Sequence, residues 1–135
     1  MLTLLMTLLV IGDGPSDDLK DMAGTWVLVS TADGRPGTKV TKRTDRNFKL
    51  SVKGTTARGF RGDKSGTASN FTVDPTKTPK QIDLFHPEAG HLKGIYELDG
   101  DIMRSSFSPP GQERPTSFSE TTSTISLYER EMPRS

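Results

Sequence analysis

The chain has 135 residues, which suits one domain, and its 18 basic residues nearly balance its 17 acidic ones. A net charge of +1 provides no general attraction for the phosphates of a nucleic acid, so we expect no nucleic-acid partner. The absence of cysteine excludes disulfides, thiolate zinc sites and a cysteine nucleophile. Only 31% of the residues are hydrophobic, and 13 glycines and 9 prolines favour a small β-rich domain over a helical bundle.

Hydrophobic residues are concentrated at positions 1–11, which read MLTLLMTLLVI. This run has the length of a signal-peptide apolar region and about half of the roughly 20 residues that a membrane span requires. No basic residue precedes it, and no small-x-small cleavage site follows it. We expect residues 1–15 to be a shortened export signal of an exported protein without a stable membrane span. A strand or helix packed on the core is the alternative.

A short helix is predicted next, immediately before the first strand. Ser16 can cap the free backbone amides, and Asp17 and Asp18 lie where the helix dipole favours negative charge. Leu19 and Met22 are three residues apart and therefore share one face. We expect this helix to have one or two turns.

Short β-strands are predicted for the rest of the chain. The alternation is clearest at Phe48, Leu50 and Val52, which are separated by polar residues, as in a strand with one wet face. Seven further segments are rich in β-branched and aromatic residues or alternate in the same way, and they lie at about 24–31, 55–61, 67–73, 82–86, 95–98, 102–107 and 124–128. The sequence therefore predicts about eight strands.

The connections between these strands predict an antiparallel arrangement. Asp99-Gly100 lies between two strands and is a strong signal for a tight hairpin. No helical pattern of about ten residues separates consecutive strands, which argues against parallel βαβ units. We predict one domain over residues 16–130, mostly β, folded as an up-and-down barrel or half-barrel with a short N-terminal helix. Residues 131–135 are predicted to be a tail.

Three motifs occur in a recognisable order along the chain. They are Gly24-Thr25-Trp26, Asp74-Pro75-Thr76-Lys77 and Gly94-Ile95-Tyr96-Glu97-Leu98-Asp99-Gly100-Asp101. In this order they resemble an uncharacterised bacterial domain family that is abundant in planctomycetes, and the likeness covers about residues 17–129. Gly-x-Trp in a first strand is also typical of lipocalins. The resemblance implies a lipocalin-like barrel and export, but the family has no agreed activity.

A barrel with so few apolar residues must have an interior that is small or incompletely filled. We therefore expect it to bind a small amphipathic or lipophilic molecule. The expected ligand-binding residues are Trp26, Tyr96, Arg104 and Ser106. Trp26 could instead plug the base of the barrel. If Arg104 and Ser106 face inward, the cavity is more polar than a lipid carrier needs.

A small metal-assisted hydrolase of an ester or lactone, such as an acylated lactone signal, is the alternative function. Glu97, Asp99 and Asp101 place three carboxylates around a tight turn, and carboxylate oxygens are suitable calcium ligands. The simpler interpretation is a hairpin with solvated acids. His86 and His91 are the only two histidines, so a histidine general base must be one of them.

The loop that contains both histidines carries ligands that would also suit zinc. His86, Glu88 and His91 lie within it, and Asp83 would be a further ligand. The spacing matches no standard zinc motif. A folded interaction module without a small ligand is the third interpretation, and the sequence does not decide the oligomeric state.

Overall fold

The computed structural model describes residues 15–33, 47–118 and 124–131, which form a β-barrel with one helix. The helix α1 spans Pro15–Met22 and is the only helix in these ranges. Its eight residues are too few to cross a membrane. The strands are β1 (Gly24–Asp33), β2 (Phe48–Lys53), β3 (Thr56–Arg61), β4 (Lys64–Ser65), β5 (Ser69–Asp74), β6 (Lys80–His86), β7 (Gly90–Asp99), β8 (Ile102–Phe107) and β9 (Thr124–Arg130). Residues 1–14 of the predicted export signal and residues 132–135 of the predicted tail lie outside the described residues, and Pro15 is the first residue of α1.

Eight of these strands form a closed antiparallel barrel of lipocalin-like architecture. Each pairs with the next along the chain, from β1 with β2 to β8 with β9. The ring closes because β9 also pairs with β1. The two-residue strand β4 pairs only with β3 and is not part of the ring. The predicted up-and-down arrangement is therefore confirmed. Of the two predicted forms, the structure has the closed barrel and not the half-barrel.

The predicted alternation of β2 decides which of its side chains face the interior. Phe48, Leu50 and Val52 all line the inside of the barrel, as the sequence pattern indicates. Successive side chains of a strand point to opposite faces, so the polar residues between them face outward. The pairing of β1 with β9 departs from this regular alternation, because its register shifts between Leu28 and Ser30.

The hairpin between β7 and β8 is confirmed, with its turn one residue later than predicted. Asp99 pairs with Ile102, so Gly100 and Asp101 are the two turn residues. Gly100 has a φ angle of 63°, which a residue with a side chain rarely adopts. Glycine at the first central position matches a type II′ turn.

The two ends of the barrel differ because consecutive turns alternate between them. The helix end contains α1 and the turns at residues 53–55, 74–79 and 99–101, whereas the open end contains the turns at 61–68 and 86–90. The main core cluster includes Met22 of α1 and extends into the barrel, and its members are Met22, Trp26, Val52, Phe71, Ile82, Tyr96 and Met103.

A buried carboxylate fastens α1 to the barrel. Asp18 is only 6% exposed, and it accepts a 2.5 Å hydrogen bond from the hydroxyl of Tyr96. The ammonium group of Lys80 lies 3.2 Å from the same carboxylate oxygen. Asp18, predicted only from its place in the first helical turn, therefore also connects the helix to β6 and β7.

Candidate ligand-binding site

A cavity of about 410 Å³ lies inside the barrel. This volume is within the range of about 300–1,000 Å³ that is usual for small-molecule sites. The cavity extends to residues that are exposed at the open end, namely Gly66 and Thr67. Its apolar lining comes from α1 and five strands: Met22, Phe48, Leu50, Val52, Ala57, Phe71, Ile82, Leu84, Met103 and Phe107. The interior is thus incompletely filled, in agreement with the low apolar content.

The polar groups of the cavity are hydroxyls and one imidazole. They belong to Thr67, Ser69, His86, Tyr96, Ser105 and Tyr128. Among the described residues that line the cavity, none is a lysine, arginine, aspartate or glutamate. A charged group placed inside would lose its hydration without gaining a countercharge. The cavity is therefore suited to uncharged chemical groups.

Both tyrosine hydroxyls of the cavity remain protonated over a wide pH range. Burial raises the pKa of Tyr96 well above its ordinary value, and the neighbouring carboxylate of Asp18 raises this pKa further. Burial also raises the pKa of Tyr128, although a hydrogen bond with Ser126 acts in the opposite direction. Tyr96 directs its hydrogen to Asp18, so this residue contributes its ring to the cavity wall.

Strand β8 places Ser105, rather than the predicted Ser106, in the cavity wall. Ser105 pairs with Tyr96, whereas Ser106 is 1% exposed and pairs with Ile95. Side chains alternate along the strand, so the neighbours of the inward-facing Ser105 point away from the cavity. Arg104 and Ser106 therefore do not face inward. The hairpin register sets this choice, since the observed turn at Gly100 and Asp101 places Ser105 directly opposite Tyr96, whereas the turn predicted at Asp99 and Gly100 would place Met103 there.

The predicted ligand-binding residue Arg104 lies on the outer face of the barrel. Its guanidinium binds the carboxylate of Glu97 at 2.8 Å and lies 4.0 Å from the centroid of the Phe118 ring. These partners are outside the cavity, since neither lines it. The interior is consequently less polar than it would be with an inward arginine.

Trp26 plugs the base of the barrel, below the cavity. Its side chain is fully buried, it belongs to the core cluster, and it is not among the residues that line the cavity. The indole nitrogen donates a 2.9 Å hydrogen bond to the carbonyl of Met22. This position agrees with the interpretation of Trp26 as a plug rather than a ligand contact.

The two histidines lie on different faces of the barrel wall. His86 lines the cavity, whereas His91 stacks on the exposed ring of Phe85, with 4.7 Å between ring centroids. His91 Nε2 lies 2.8 Å from Asp83, and Arg114 lies 2.9 Å from the same carboxylate oxygen. Burial acts to raise the pKa of Asp83, but the hydrogen bonds from His91 and Arg114 outweigh it and hold this pKa below its ordinary value.

The predicted metal-binding carboxylates lie at the helix end, away from both histidines. Along β7, His91 and Asp99 are eight residues apart, which is about 26 Å in an extended strand. Glu97 pairs with Arg104, and Asp101 pairs with Arg130. Within residues 15–33, 47–118 and 124–131, no three His, Asp or Glu side chains form a group that could hold a metal ion. The structure therefore does not assemble the predicted calcium-dependent hydrolase centre from these residues.

Comparison of the chain with family models, with curated proteins and with solved structures finds no match to any of them. The functional argument consequently depends on the geometry of the barrel and of its cavity.

Proposed function

We propose that this protein is a binding module that holds a small lipophilic or amphipathic molecule inside its barrel. The observation that carries this proposal is the cavity of about 410 Å³ with a mainly apolar lining. Transfer of apolar surface from water into such a lining is favourable in proportion to the area buried. The hydroxyls of Ser69 and Ser105 add a few polar positions that can orient a ligand.

Export is part of the same proposal. The apolar run at residues 1–11 supports it, because its length is that of a signal-peptide apolar region. Fractionation of bacterial cells that express the full chain tests this point. We expect the protein in the periplasm or medium, and we expect a variant without residues 1–15 to stay in the cytoplasm. Equal distribution of the two chains would contradict export.

Binding can be tested with N-phenyl-1-naphthylamine, a neutral lipophilic fluorophore that brightens in apolar surroundings. We expect a saturable increase in fluorescence with one probe bound per chain. Leu84→Trp places a bulky ring in the cavity and should weaken probe binding at least about tenfold. Phe85→Trp is the matched control, because the next residue of β6 is exposed and outside the cavity. Circular dichroism of both variants verifies that the barrel has formed.

Two outcomes would contradict the proposal. The first is an unsaturable or absent response of the wild-type protein. The second is equal probe affinity of the folded Leu84→Trp and Phe85→Trp variants, because the probe would then bind outside the cavity.

A further inference from the structure

His86 lines the cavity, and two backbone hydrogen bonds fix the orientation of its imidazole ring. Its Nδ1 accepts hydrogen bonds from the backbone amides of Glu88 and Ala89, each at 3.0 Å. A hydrogen on Nδ1 would point at these two amide hydrogens. The geometry therefore belongs to the neutral ring that carries its hydrogen on Nε2. Within the described part of the chain, Nε2 has no hydrogen-bond partner.

The donor lies at the open end, beside other polar groups of the cavity. His86 is the last residue of β6, and Asn70 pairs with Phe85, so the next position of this ladder places Ser69 beside His86. The lining toward α1 includes the apolar side chains of Met22 and Met103, together with the hydroxyl residues Ser105 and Tyr128. A polar group bound by His86 at the open end would leave the apolar chain of an amphipathic molecule directed toward Met22 and Met103.

The distribution of charge limits which polar group can occupy that position. The described lining residues include no ionised side chain, and the neutral imidazole offers an N–H but no positive charge. A ligand carboxylate that entered the cavity would lose its hydration and find no cation among the described lining residues. A ligand ammonium group would likewise find no anion there. An ester, ketone or amide carbonyl loses much less hydration and can accept the hydrogen on Nε2.

We propose that the ligand is an uncharged amphiphile whose carbonyl or similar acceptor binds the Nε2 hydrogen of His86, with its apolar chain directed toward α1. This inference rests on the proposed binding function. It narrows the ligand to neutral hydrogen-bond acceptors and excludes fatty-acid anions and alkylammonium cations.

Three competitors with chains of ten carbons, counting the carbonyl carbon, test the choice of polar group. Methyl decanoate, decanoate and decyltrimethylammonium are each used to displace N-phenyl-1-naphthylamine from the full chain at about pH 8, where decanoate is ionised. We expect the ester to displace the probe at a concentration at least about tenfold lower than either ion. Similar displacement by the ester and by one of the ions would overturn the inference.

Substitutions of the two histidines test the donor itself. His86→Phe removes the donor, and we expect the affinity for methyl decanoate to fall about three- to tenfold, as for one neutral hydrogen bond. His86→Gln retains an N–H donor and should recover part of this affinity. His91→Phe is the matched control and should bind the ester like the wild type, because His91 is outside the cavity.

The probe and the competitors distinguish failure of this inference from failure of the proposed function. Loss of probe binding in the wild type would refute the binding module as a whole. Normal probe binding with unchanged ester affinity in folded His86→Phe would refute only the role of His86. Fluorescence of Trp26, which lies outside the cavity, reports whether each variant is folded.

Discussion

The guanidinium carbon of Arg130 lies 4.4 Å from the centroid of the Trp26 ring, so one contact joins the last strand of the barrel to the first. The same guanidinium donates hydrogen bonds to the carbonyls of Ala23 and Asp21 and to the carboxylate of Asp101. Arg130 therefore connects β9, the end of α1 and the β7–β8 turn at the helix end of the barrel, next to Trp26.

Removal of the Arg130 side chain should destabilise the barrel. We expect Arg130→Ala to lower the free energy of unfolding by about 2–3 kcal/mol, because it removes a cation–π contact and several hydrogen bonds. Urea denaturation followed by the fluorescence of Trp26 measures this change. Arg104→Ala is a suitable control, because Arg104 also combines an acid and an aromatic ring but is 37% exposed, against 17% for Arg130. A loss below about 1 kcal/mol is expected there, and equal losses would contradict the proposed role of Arg130.

The protein should lose stability in alkaline solution through its two tyrosines. Both pKa values are raised in the folded chain, so Tyr96 and Tyr128 keep their protons after the unfolded chain has begun to ionise. Their contribution is complete below the ordinary pKa of about 10 and is lost above it, at up to about 1.4 kcal/mol per pH unit for each tyrosine. We expect tyrosinate absorbance to appear together with unfolding. The Tyr96→Phe/Tyr128→Phe variant should show a weaker alkaline dependence of unfolding, and an unchanged dependence would contradict this explanation.

Gly59 allows the Phe48 ring to lie against the wall of the cavity. A Cβ atom at position 59 would lie 2.9 Å from two atoms of that ring, which is too close for an ordinary contact. We expect Gly59→Ala to displace the ring into the cavity and to weaken N-phenyl-1-naphthylamine binding several-fold. Adding Phe48→Leu should restore binding. Gly66→Ala is the control, since its added carbon would lie 3.5 Å from the nearest backbone atom, an ordinary contact distance. Equal effects of the two alanine variants would argue against steric control by Phe48.

Asp83 should contribute stability that disappears in acid. Its pKa is held below the ordinary value, so the contribution is complete above the unfolded pKa of about 4 and is lost as the pH falls further. Because the carboxylate is partly exposed, we expect at most about 1 kcal/mol. Asp83→Asn should therefore be less stable than the wild type at neutral pH and nearly equal to it at about pH 2–3. Asp99→Asn, at an exposed turn position, serves as control. A stability difference for Asp83→Asn that is the same at both pH values would contradict this assignment.

Secondary-structure elements whose pattern lies in residues close together in the chain could be predicted from the sequence. The alternation of Phe48, Leu50 and Val52 predicts β2 because a strand places every second side chain on one face. The β7–β8 hairpin follows from a turn signal of two residues. The resemblance to a planctomycete-type family and the predicted hydrolase activity stay predictions.

Contacts between distant parts of the chain could not be predicted in the same way. Asp18 and Tyr96 are 78 residues apart, and no local pattern indicates that a carboxylate in the first helical turn binds a buried phenol. In β8, adjacent Ile102 and Met103 are both apolar, so alternation alone does not decide which of Ser105 and Ser106 faces inward. The register with β7 decides it.

Closure of the ring also limits how this protein can meet other chains. Each strand of the ring has a hydrogen-bonded neighbour on both sides, and among the described strands only β4, with Lys64 and Ser65, has a neighbour on one side alone. Strand addition, whether by a peptide partner or in a growing fibril, needs a longer row of unpaired backbone groups. Among the described residues, Phe85 and Ile102 are the exposed large apolar side chains that self-association or partner binding could use instead.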